Sequence, residues 1–226
     1  MWHKQPGEQG QSGYAELPAS SNADRTLYAP ELGLFGVFDG VGSTGAPAAE
    51  IAANYVRTHG EKIVSARGLA TVLEGANTAI LENPAAYVNE ERRSETTATV
   101  FKVIPTLLGA HAIWASVGDT RLYHVSQQNS AIEQISRDEG QEEYILNGLG
   151  WADCKVEQCD TLKLRRGDGL ILVTDGVTGD RDDDIMPDNE VLLHYRAGYG
   201  DAGMAASALV HNARKQDDRT AVVLQI

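Results

Sequence analysis

Between Thr96 and Ile135 the chain passes through four short segments of strand character joined by brief turns. Thr96 to Ile104 (TTATVFKVI) alternates and is β-branched. Gly109 to Val117, Arg121 to Val125 and Ala131 to Ile135 follow, with Gly118-Asp119 and Gln127 to Ser130 in the turns. Strands this close in sequence pair as antiparallel neighbours, because a parallel pair needs a crossover of a dozen or more residues. A meander therefore occupies the middle of the chain. Before it lie the apolar run Gly33 to Phe38 (GLFGVF) and two helical segments. Ala48 to Val56 follows Pro47, and Leu69 to Ile80 carries apolar residues at 69, 72, 73, 76 and 80. Asn83-Pro84 breaks the second. After the meander come Val156 to Leu164, Leu170 to Thr174 (LILVT), helical segments over Glu190 to Tyr195 and Ala202 to Arg214, and a closing strand, Thr220 to Ile226. Strand and helix do not alternate regularly, which argues against a doubly wound parallel sheet. The expected fold is α+β, with two packed antiparallel sheets and helices outside them.

The 226 residues contain no internal repeat or low-complexity linker, so one domain over 1–226 is expected, with the first dozen residues as a loose arm. The balance of 19 Lys+Arg against 32 Asp+Glu leaves a formal charge of −13. That excess argues against nucleic acid and against anionic membrane as partners, since both require basic surface. No run approaches a membrane span, and Met1 to Gly7 has no signal-peptide core, so a cytoplasmic protein is expected. Cys154 and Cys159 fit neither a redox CxxC nor a zinc half-site and read as ordinary thiols. The histidines His59, His111, His124, His194 and His211 form no ligand pair. Arg181-Asp182-Asp183-Asp184 reads as a solvated acidic turn rather than a calcium loop. Gly148-Leu149-Gly150-Trp151 lacks the Lys-Ser/Thr of a phosphate loop.

Three acids stand out by position. Asp39 ends GLFGVF, Asp175 ends LILVT, and Asp218 directly precedes Arg219-Thr220 and the apolar AVVL. An Asp at the end of a buried strand is aimed at the sheet rim, where desolvation must be offset. Asp39 and Asp175 are each followed by Gly, which permits a tight turn and lets the backbone carbonyl face an ion. Carboxylates gathered at one rim repel unless a divalent cation sits among them, and oxygen-only ligands suit Mg2+ or Mn2+ better than Zn2+. Such pairs also make ordinary turns, so the residues alone leave both readings open.

At these positions the sequence resembles the metal-dependent protein phosphatases, the type 2C Ser/Thr family, in its short bacterial form. Asn22-Ala23-Asp24 resembles the N-terminal acidic motif, and Val37-Phe38-Asp39-Gly40-Val41-Gly42 the strand ending in DGxG. Glu95-Thr96-Thr97-Ala98 is similar to GTTA, and Ala115 to Arg121 to the VGDSR hairpin. Gly167 to Gly176 resembles GDxLLLxSDG, and Asp217 to Val223 resembles DNxTxxVV. The six occur in the family's order over nearly the whole chain. The resemblance implies a central β sandwich of two antiparallel sheets flanked by helices on both faces, a four-layer αββα arrangement. It implies two Mg2+ or Mn2+ ions in a cleft at one end. Asp39 would bridge them, the Gly40 carbonyl and Asp24 would serve the second, and Asp175 and Asp218 the first. Asp119 would help hold a third, weaker ion. Asp39, Asp175 and Asp218 are the expected catalytic set. The implied reaction is hydrolysis of phosphoserine and phosphothreonine by a metal-bridging hydroxide, without a phosphoenzyme. The implied partners are phosphoprotein substrates of a Ser/Thr kinase, acted on by a monomer.

Three positions differ from the family pattern. Ala19 stands where members carry a phosphate-gripping Arg, Ala23 where many carry Glu or Gln, and Val41 where eukaryotic members carry His. Arg25, Arg92 and Arg93 are the nearby alternatives for the first. The first two differences favour a second expectation, a pseudophosphatase acting as a binding or regulatory module. A third is a hydrolase of small phosphoesters.

Overall fold

A computed structural model describes residues 10–89, 92–107, 109–141, 144–198 and 200–226. Among the described residues, twelve strands and five α-helices follow one another. β1 is Gln11–Leu17, β2 Arg25–Ala29 and β3 Leu34–Phe38; α1 is Ala46–His59 and α2 Ala66–Glu82. β4 is Ala98–Thr106, β5 Gly109–Val117, β6 Arg121–Ser126 and β7 Ala131–Gln134, with a small ribbon of β8 (Gly140–Gln141) and β9 (Tyr144–Ile145). β10 is Gln158–Leu164 and β11 Gly169–Val173; α3 is Asp175–Thr178, α4 Asp188–Ala197, α5 Ala202–Asn212, and β12 Arg219–Gln225 closes the fold.

Two five-stranded sheets result, one ordered β1-β12-β11-β6-β7 and the other β10-β5-β4-β3-β2. All their pairings are antiparallel. Alternation along the strands builds three apolar layers. Phe35, Val37, Phe101, Leu170, Leu172, Val222 and Leu224 meet between the sheets. Leu34, Phe38, Val100 and Ile113 turn outward against α1 and α2. Ile171, Val173, Ala221 and Val223 turn outward against α4 and α5. Both faces of the central strands are thus buried, which is why GLFGVF and LILVT read as unbroken apolar runs. The α+β expectation of a sandwich flanked by helices on both faces is met.

Of the residues expected as a loose arm, 1–9 lie outside the described part. Gln11 and Ser12 instead begin β1, whose full length pairs with β12 and supplies their backbone hydrogen bonds. No helix among the described residues is long and apolar enough to cross a membrane.

Candidate metal centre

Strand register delivers the acids to one end of the sandwich. β2 pairs with β3 as Arg25 opposite Phe38, so one step further sets Asp24 opposite Asp39. β11 pairs with β6 as Val173 opposite Arg121, and the chain beyond this rung brings Asp175, in the first turn of α3, close enough to act on Asp119. Each sheet therefore carries one acidic pair just beyond its last rungs. The pairs face each other closely enough that Asp39 feels Asp24, Asp175 and Asp119 together.

The loops are pinned by the Thr-bearing segments around them. The Asp39 carbonyl accepts from Thr96 Oγ1 at 2.8 Å and from the Thr97 amide at 2.9 Å, and the Val41 amide donates to the Glu95 carbonyl. Thr174 Oγ1 and Thr220 Oγ1 donate to Asp24 Oδ2 at 3.0 and 2.7 Å, tying β11 and β12 of one sheet to the start of β2 in the other. Two glycines are required by close approach. A Cβ on Gly40 would stand 2.6 Å from the Ala23 carbonyl oxygen, and one on Gly176 would stand 1.8 Å from that of Asp218. The Gly after each strand-end Asp thus lets one acidic loop rest directly on another.

A cleft of about 560 Å³ opens at this end. Asp39, Gly40, Asp119 and Asp175 line it. Asp24 sits behind Asp39, with Oδ1 buried and unpartnered. Asp218 does not line the cleft. It is 4% exposed, and its two oxygens accept from the Ala19 amide, Ser21 Oγ (2.8 Å) and the Ala23 amide (2.6 Å). Its neighbour Asp217 lines the cleft instead. Residues 19–23 hold the Asp218 carboxylate away from the cleft, which leaves Asp217 as the cleft-facing member of the pair. The cleft also receives Asp180, Asp183 and Asp184 from the loop after α3, and Arg181, Arg214 and Lys215. The expected solvated turn at 181–184 is therefore partly a cleft wall. Asp184 Oδ1 closes that turn by accepting from the amides of Asp180 and Arg181.

Charge is distributed unevenly. Burial, then Asp24, Asp175 and Asp119, hold the Asp39 carboxyl well above the usual carboxylate range. Burial raises Asp24 to about 7 against the two Thr hydrogen bonds, with Asp218 and Asp175 adding to the rise. Asp119 is pushed up to about 7 by burial and by Asp175. Asp218 behaves oppositely: burial would raise it, but hydrogen bonds from Ala23, Ser21, Ala19 and Asn22 bring it below its ordinary value. Lys215 Nζ contacts Asp175 Oδ2, Asp180 Oδ2 (3.0 Å) and Asp217 Oδ2 (3.2 Å). Burial opposes its charge, but Asp175 leads the carboxylates that hold its pKa above the lysine range.

The donors here are all oxygens, and the buried Oδ1 atoms of Asp24 and Asp180 have no partner. That chemistry fits a hard divalent cation. Among the described residues, no three acidic, His or Cys side chains stand as a ready ligand set. Oxygens of Asp175 and Asp217 are turned to the Lys215 ammonium.

Other candidates fall away from the cleft. Arg25 pairs with Glu50 at 2.7 Å and donates to the Asn22 and Asp24 carbonyls. Arg93 donates to the Tyr87 hydroxyl and lies over its ring. Leu149 is buried and paired with Thr96, and the cleft contact from that region is Ile145. His124 pairs with Asp168, and His194 with Glu190. Burial, then Glu139 and Asp153, push the Cys154 thiol up to about 12, which leaves it without thiolate character near neutral pH.

Solved structures share this fold. The PPM Ser-Thr phosphatase MsPP from Mycobacterium smegmatis, solved with cacodylate, superposes with a TM-score of 0.77 at 20% identity, over 96% of this chain and 98% of that one. The catalytic domain of the serine threonine protein phosphatase PstP, solved with 2 manganese ions, gives 0.76 at 17% identity, over 96% and 97%. RsbX, solved with magnesium, gives 0.70 at 17% identity, over 98% and 97%. At these identities the likeness establishes the fold. No curated protein sequence matches. Residues 34–226, from the start of β3 through the acidic cleft to the last strand, match the family described as Stage II sporulation protein E (SpoIIE), and the chain belongs to that family.

Proposed function

We propose that the protein is a divalent-metal-dependent phosphatase acting on phosphoserine and phosphothreonine in proteins. One observation carries the reading: in a PPM fold, acids from separate loops meet at one end of the sandwich around a cleft lined only by oxygen donors on its acidic wall. Asp39, the Gly40 carbonyl, Asp175 and Asp217 would hold Mg2+ or Mn2+, with Asp24 behind Asp39 and Asp119 beside Asp175. Bound there, two such ions supply positive charge against a phosphate dianion and make a water acidic enough to act near neutral pH. The protein's share is to position. Thr96 and Thr97 fix the Asp39 turn, and Thr174 and Thr220 orient Asp24, so its second oxygen faces inward. Asp218 holds residues 19–23 against the cleft floor. Arg181 and Arg214 stand at the cleft wall, where a substrate phosphate can meet a cation although position 19 is Ala. Arg214 also pairs with Glu190 at 2.8 Å.

The test is turnover of a phosphothreonine peptide with Mn2+, against Asp39→Asn as control. Activity in the parent and loss in the variant are expected. Equal rates in the two overturn the reading. The Lys215 ammonium among the acids favours a second reading, a cleft that binds a partner without turnover. Mn2+ binding with no hydrolysis of peptide or small phosphoesters would select it.

A further inference from the structure

Lys215 lies in the loop between α5 and β12, two residues before Asp217. Its ammonium meets three carboxylates that come from three places. Asp175 belongs to the first turn of α3, Asp180 to the loop behind it, and Asp217 to Lys215's own loop. The Lys215 side chain is 16% exposed and the Asp175 and Asp180 carboxylates 20% and 9%, while Asp217 is 43% exposed, so the cluster is partly desolvated on its α3 side and open at Asp217. The opposite wall of the same cleft carries Asp39 and Asp119, and the Lys215 charge reaches Asp119 from across it.

An ammonium and a divalent ion compete for these carboxylates. The ammonium holds its acceptors at hydrogen-bond distance with one positive charge. A Mn2+ ion needs the same lone pairs about 2 Å away and repels an adjacent cation. We propose that Lys215 is a tethered counter-cation that occupies the Asp175–Asp217 half of the cleft in the metal-free protein and is displaced when metal enters. This rests on the reading of the cleft as a metal centre. Its consequences are specific. Metal binding on that side is weakened by competition with the chain's own cation, and the metal-free fold is spared the repulsion of three neighbouring acids. Displacement also puts a primary amine at the cleft mouth only when metal is bound.

Calorimetry with Mn2+ alone on the full chain tests the competition. Lys215→Met keeps the length and loses the charge, and should bind Mn2+ about tenfold more tightly than the parent. Lys215→Arg should remain near the parent. The parent protein itself gives a second measurement that needs no variant. Reductive methylation of Lys215, followed by mass spectrometry, should run several-fold faster with saturating Mn2+ than without. Equal Mn2+ affinity in parent and Lys215→Met, or methylation that ignores bound Mn2+, overturns the role of Lys215 and leaves the metal centre standing. Absence of Mn2+ binding in both proteins overturns the two together.

Discussion

The two walls of the acidic cleft are built from similar parts and balanced differently. On one, Asp39 and Asp119 stand buried, with Asp24 behind, and their carboxyls are driven upward by burial and by one another. On the other, Asp175, Asp180 and Asp217 surround Lys215. The first wall is relieved from within the chain only in part, by the Lys215 charge acting on Asp119, and the rest of its burden is open to a proton or an external cation. The second carries its relief in the chain. An acidic cluster is therefore not one electrostatic object, and the less compensated wall makes the stronger demand for metal.

The largest expected difference follows directly. Asp39→Asn should reduce phosphatase turnover by ~10³-fold or more, since it removes the acid all others converge on. Asp180→Asn, on the compensated wall, should cost less than ~10-fold. Turnover of a phosphothreonine peptide over a Mn2+ titration distinguishes them, and equal losses would break the comparison.

Next come the two glycines that seat the walls. Gly176→Ala would force a Cβ to 1.8 Å from the Asp218 carbonyl oxygen, backbone that cannot swing aside. It should destabilise by ~3 kcal/mol and lower the melting temperature by about 10 °C. Gly40→Ala meets the Ala23 carbonyl at 2.6 Å and should cost less. Thermal unfolding of metal-free samples gives the order.

Asp217 and Asp218 separate metal holding from loop holding. Asp217→Asn should weaken Mn2+ binding by about 100-fold with little change in metal-free stability. Asp218→Asn should do the reverse. It loses charge-assisted hydrogen bonds from residues 19–23 and about 2 kcal/mol of stability, with Mn2+ affinity nearly kept. Calorimetry paired with thermal unfolding of each variant reads both quantities.

This pair also marks the limit of what the sequence discloses. Strands buried on both faces announce themselves as apolar runs, so β3, β11 and β12 and the acids at their ends are legible. The meander is legible because its turns are short. β1 and β2 are not, because QSGYAEL and RTLYA are mixed in polarity and draw their order from partners far along the chain, β12 and β3. Motif likeness marks the Asp217-Asp218 pair, but which of the two faces the cleft depends on the hydrogen bonds that residues 19–23 give Asp218. Asp180 and Lys215 carry no local signal. Their significance comes from an ion cluster that joins the loop after α3 to the loop before β12. Ala23, a departure from the family pattern, is intelligible once Gly40 is seen to rest on it.

The smallest effect probes the less compensated wall by pH. Asp24 and Asp119 have folded-state values near 7 against an ordinary value of 3.8. Between these limits the folded protein binds more protons than the unfolded chain, so stability falls as pH rises. The contribution is fully present below about 4 and lost as pH passes through 7. The carboxyls of this wall compete for protons, so their effects do not add, and ~2 kcal/mol between pH 5 and 7.5 is expected for metal-free protein. In chelator the denaturant midpoint should therefore be higher at pH 5 than at pH 7.5. Saturating Mn2+ should shrink or reverse the difference, because metal then takes the place of the protons and binds best to ionised acids. Lys215→Met should steepen the metal-free slope by exposing the second wall to the same repulsion. A flat profile in chelator, unchanged by Mn2+, would mean that the acids of the first wall do not repel one another, and the contrast between the walls would be lost.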